Sequence, residues 1–121
     1  MAAVTESTRD ALAGLSVGKP EVLKDVIGSP EDHPGATGLD ERTFALVKLA
    51  TLIALDAPPS SYACHVASAV EAGASSEQIL GVLYAVGPQV GGPRVVAAAP
   101  ELMLALGIAL PDSADYPENG D

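Results

Sequence analysis

Apolar positions in this chain recur at helical spacing, and no segment shows the strict alternation of a half-buried strand. The organised part runs from Leu39 to Gly107, where Ala and Leu dominate. A first helix is predicted from about Asp40 to Leu55, "DERTFALVKLATLIAL". Asp40 is a good N-cap, Glu41 suits the positive end of the helix dipole, and Asp56-Ala57-Pro58-Pro59 ends it. At about 100° per residue, Leu46, Val47, Leu49, Leu52, Ile53 and Leu55 occupy most of the circumference. A helix that is apolar nearly all round is buried nearly all round. One small monomer can hardly wrap it, so part of this helix is expected in a homo-oligomer interface.

A second helix is predicted over about Ser60 to Ala72, with Pro58 and Pro59 before it and Gly73 as a left-handed C-terminal residue. Its apolar stripe is Tyr62, Ala63, Val66, Ala69, Val70 and Gly73. Ser75 with Gln78 forms a capping-box pattern for a third helix, "SEQILGVLYAV", expected to stop at Gly87-Pro88. Gly81 inside it costs about 1 kcal/mol relative to Ala, so a neighbour is expected close to its backbone. A fourth helix opens at Gly92-Pro93 and runs to about Gly107, with Pro100 expected to kink or restart it. Short gaps between the four predict an all-α antiparallel helical bundle.

On this reading the bundle spans residues 39–110. Residues 1–38 pair a short amphipathic piece, "RDALAGL", with turn-rich "GSPEDHPGATG", which reads as a weak helix or two followed by a loop. Residues 111–121, "PDSADYPENGD", carry four acidic residues, two prolines and a glycine, the composition of a disordered acidic tail.

Composition narrows the rest. With aromatics at 3% and no Trp, the core must be built from Ala, Val, Leu and Ile. Sixteen acidic against six basic residues give a net charge of −10, which argues against nucleic acid and against anionic membrane surfaces. "LATLIAL" is too short to span a bilayer, and "VVAAAPELMLALGIAL" is broken by Pro100 and Glu101. "MAAVTESTRDALAG" lacks the basic start and apolar centre of a secretory signal, so a cytoplasmic location is expected.

The candidate chemistry centres on "SSYACHVASAVEAG", which holds the one cysteine and one of the two histidines as adjacent Cys64 and His65. Adjacent helical residues diverge by about 100° and do not face each other, so a direct thiolate–imidazole couple is disfavoured. Cys64 lies nearly opposite the apolar stripe, beside Ser68 and Glu71, and reads as a small packing residue at a helix or subunit contact. His65 flanks the stripe. It is either a satisfied half-buried imidazole or a proton relay into a pocket, with Ser61 and Tyr62 in hydrogen-bonding reach. His33, in "SPEDHPGA", reads as part of a solvated turn, since the two histidines form no recognised metal spacing. "GPQVGGPR" lacks the Lys-Ser/Thr of a phosphate loop and follows no strand, so no nucleotide cofactor is expected. Gly92 and Arg94 either bind a carboxylate or simply form a tight turn.

Four stretches in order resemble the carboxymuconolactone decarboxylase-like family, which includes the alkylhydroperoxidase D-like proteins. These are "LDERTFALVKLATLIAL", "HVASAVEAGAS", "SSEQILGVLYAV" and "GGPRVVAAAPEL", from Leu39 to about Gly107. The resemblance implies an all-α fold assembling as trimers or hexamers, with neighbouring subunits shaping the pocket. It also implies either decarboxylation of a lactone diacid or peroxide reduction by a Cys-x-x-Cys dithiol beside a histidine. In that register the family histidine is His65, and the dithiol would fall at Pro58 and Ser61, neither a cysteine. The family's glutamates would fall near Ala45, Gln78 and Gly81, although Glu41, Glu71 and Glu77 lie near in sequence.

Dithiol peroxidase chemistry is therefore not expected, since an internal disulfide needs two thiols. Two functions remain. One is a cofactor-free lyase or isomerase on a small organic acid or lactone, with His65 in proton transfer and Ser61 at the vacated thiol position. Tyr62, Lys48 and Arg94 are then the candidate substrate-binding residues. The other is an oligomeric ligand-binding or accessory protein of the same fold that has lost catalysis. An unrelated small-residue helical bundle is the third possibility.

Overall fold

The computed structural model describes residues 3–28, 35 and 37–112. The reading of His33 as a solvated turn and that of residues 113–121 as a disordered tail fall outside the described residues. The chain divides into two compact units, Met1–His33 and Pro34–Asp121. The first holds α1 (Glu6–Ser16) and α2 (Pro20–Ile27). Thr5 caps α1 by accepting from the Thr8 N–H, and Gly14 is buried where α1 meets Val22 of α2.

The second unit contains α3 (Glu41–Leu55), α4 (Pro59–Glu71), α5 (Ser76–Val90) and α6 (Gly92–Ala105). All described regular structure is helical, and the fold is an all-α helical bundle. The helix starts follow the predicted side chains. Asp40 accepts from the Thr43 N–H at 2.8 Å, and Ser75 and Gln78 form a reciprocal capping box. Gly73 closes α4 with φ +95°, and Gly91, at φ +89°, is the single residue that joins α5 to α6. A side chain there would be strained, so the tight reversal depends on glycine.

Packing gives the bundle its layout. α3 contacts α4, α5 and α6, and α6 contacts α4 and α5, which places α4 and α5 on opposite corners. The N-terminal turns of α3 border the C-terminal end of α4, and the N-terminal half of α5 borders the C-terminal half of α6. Each hairpin is therefore antiparallel internally. The two hairpins meet with their corresponding ends together, as the C-terminal ends of α4 and α6 share one depression. Leu49 (0% exposed), Ile53, Tyr62, Val66 and Ile79 are the largest fully buried side chains.

Several expectations need correction. α5 does not stop at Gly87-Pro88 but runs one turn further to Val90, and no new helix starts at Pro100, since α6 runs from Gly92 to Ala105 through it. A proline removes one helical N–H, a local cost that the rest of the helix can outweigh. The backbone at Gly81 has no close neighbour: a Cβ there would meet nothing within 4 Å. The stripe of α4 is narrower than drawn, because Ala63 and Val70 are exposed while Tyr62, Val66 and Ala69 are buried. Within the bundle, α3 contacts α4, α5 and α6; Ala45, Leu49 and Ile53 are buried and Leu46 and Leu52 half-buried, while Val47 (49%) and Leu55 (71%) remain its exposed large apolar residues.

Leu49→Ala is expected to cost about 2–5 kcal/mol, because the side chain is fully buried and its truncation leaves a cavity in the core. Val47→Ala, on the outer face of the same helix, is expected to change stability by less than about 0.5 kcal/mol. Ser75→Ala should fall between them, at about 1 kcal/mol, through loss of a cap. Urea unfolding of the three variants checks the order; equal costs at Leu49 and Val47 would contradict the placement of α3.

Candidate functional site

The first turn of α4 is built without a side-chain cap: Pro58 is the N-cap and Pro59 the first helical residue. Proline there is preorganised for the helix and loses only an N–H that has no helical partner. The Ser61 N–H donates to the Pro58 carbonyl at 3.0 Å, so the chain is held tightly where the histidine's partner sits. One turn later, His65 Nδ1 lies 2.9 Å from the Ser61 carbonyl oxygen.

That contact determines the imidazole's protonation pattern. A carbonyl oxygen can only accept, so Nδ1 carries the proton and donates it. In the neutral ring, Nε2 is then left with its lone pair, ready to accept a proton. The hydrogen bond also holds the ring orientation along α4. His65 is half-buried, neither sealed in the core nor free in solvent.

Helical spacing places His65 with Ser61 and Ala72 on one flank of the buried row Tyr62, Val66 and Ala69. Ala72 borders a polar depression of about 470 Å³ with Asp40, Arg42, Thr43 and Leu46, so this flank is the α3 side of α4. The opposite flank, at Val70, faces the C-terminal end of α6. Among the described residues, no carboxylate stands within ion-pairing distance of His65. Nor does any group of three or more His, Cys, Asp and Glu side chains form a metal cradle there.

The remaining candidates are dispersed. Cys64 is exposed on α4, and the Ser68 hydroxyl donates to its backbone carbonyl at 3.2 Å. The Lys48 ammonium lies 5.1 Å from the centre of the Phe44 ring on α3, a cation–π contact. Arg94 is exposed on the first turn of α6. Tyr62 is 2% exposed and serves as the aromatic of the core. Burial pushes its phenol above the ordinary tyrosine range, and the negative charges of Asp56 and Glu101 add to the shift. Glu101 was not among the sequence candidates. Its signal was that of a lone acid inside the apolar run of α6, and it is half-buried there.

The positions that would hold carboxylates in the family register are occupied differently. Ala45 is buried in the core, where a charge would be costly. Gln78 spends its side-chain oxygen on the Ser75 N–H, at 3.0 Å. Gly81 offers unfilled space but no functional group.

Fold and site together define a small all-α domain that carries a tautomer-fixed histidine on the second helix of its bundle. The model of the carboxymuconolactone decarboxylase family matches residues 31–103, more than half the chain, and the protein belongs to that family. No individual curated protein and no solved structure matches it. Among the described residues, no helix is long and apolar enough to cross a membrane.

Two measurements check this geometry. Two-bond proton–nitrogen NMR correlations are expected to show neutral His65 as the Nδ1–H tautomer; a predominant Nε2–H form would contradict the Ser61 contact. Tyr62 bears on alkaline stability. Its folded pKa lies above the unfolded value, so its contribution is intact below about pH 10 and is lost as pH rises through the folded value. Tyr62→Phe should therefore flatten the alkaline loss of stability relative to wild type. Parallel curves for the two proteins would count against the shift.

Proposed function

We propose that this protein is a cofactor-independent lyase or isomerase acting on a small organic acid or lactone, with His65 as its proton carrier. The observation that carries this reading is the Nδ1–H···O=C bond to Ser61, which leaves Nε2 as the accepting nitrogen. Nε2 takes a proton from one substrate atom and returns it to another, and the Ser61 carbonyl stabilises the imidazolium formed between the two steps. Family membership supports an organic acid or lactone as the substrate class. The substrate carboxylate needs a cation, and Lys48 or Arg94 supplies it. Ser61 contributes its carbonyl, and its hydroxyl occupies the place of a thiol. The active form is a homo-oligomer, a trimer or hexamer, in the cytoplasm, and its pocket is completed by a neighbouring copy.

Peroxide reduction through an internal disulfide does not fit a chain with one cysteine. A second reading, ligand binding without turnover, is favoured by one feature. His65 has no carboxylate partner among the described residues, and Ala45, in a vacated carboxylate position, is part of the core.

A panel of lactones and small carboxylic acids tests the two readings. His65→Gln is expected to lower turnover by about 10²–10⁴-fold, the range of general acid–base catalysis, with the fold unchanged by circular dichroism. Equal rates in wild type and variant would remove His65 from any mechanism. Saturable binding with no turnover in either protein would establish the second reading. With peroxide and a dithiol reductant, the rate should match that of a free single thiol and fall to background in Cys64→Ser.

A further inference from the structure

We draw no further inference here: the strongest candidate, the apolar groove of about 410 Å³ between α5 and α6 lined by Ile79, Leu83, Leu102 and Met103, is an open apolar face, and nothing in the structure shows what covers it.

Discussion

The burial of α3 at Leu49 and Ile53 is the contact on which this bundle depends. Both side chains are sealed from solvent, and α3 contacts each of α4, α5 and α6. A core poor in aromatic rings gains little area from each residue, so its stabilisation has to come from many small contacts at short helix separations. Tyr62 is the exception. It supplies one large buried surface from α4, and that explains why a residue three positions before the histidine is a packing element. The histidine inherits its location from this arrangement. Because Tyr62, Val66 and Ala69 fix which face of α4 turns inward, His65 and Ser61 must lie on the flank toward α3.

Much of this was legible along the chain because it depends on local chemistry. Asp40, Ser75 with Gln78, and Gly73 act within one helical turn, and each does what its residue type dictates. The prolines were not legible in the same way. Pro88 and Pro100 each delete one hydrogen bond, a local cost, but whether a helix ends there is decided by packing along its whole length. The all-round apolar pattern of α3 posed a related difficulty. It reports burial on every side but not who provides it; within the bundle, α3 contacts α4, α5 and α6. Gly81 illustrates the converse, since a glycine within a helix implies a close neighbour only where one is present.

The candidate site was legible to the same depth. The spacing of Ser61 and His65 placed them one turn apart on one face of a helix. It did not say that the backbone carbonyl, and not the hydroxyl, would receive the imidazole proton. That distinction matters chemically. A hydroxyl can donate or accept and leaves the tautomer open, whereas a carbonyl settles it. The acidic neighbour of Tyr62 was hidden for another reason: Glu101 comes from α6, distant in sequence, and only the parallel meeting of α4 and α6 brings its charge to bear.

A fixed tautomer without a carboxylate partner is an unusual economy. In many sites an acid both orients the imidazole and stabilises its cation, whereas here a neutral carbonyl performs the first task and only weakly the second. Under the proposed function, a substrate carboxylate drawn close to Nε2 would supply the negative partner that no described side chain places beside His65.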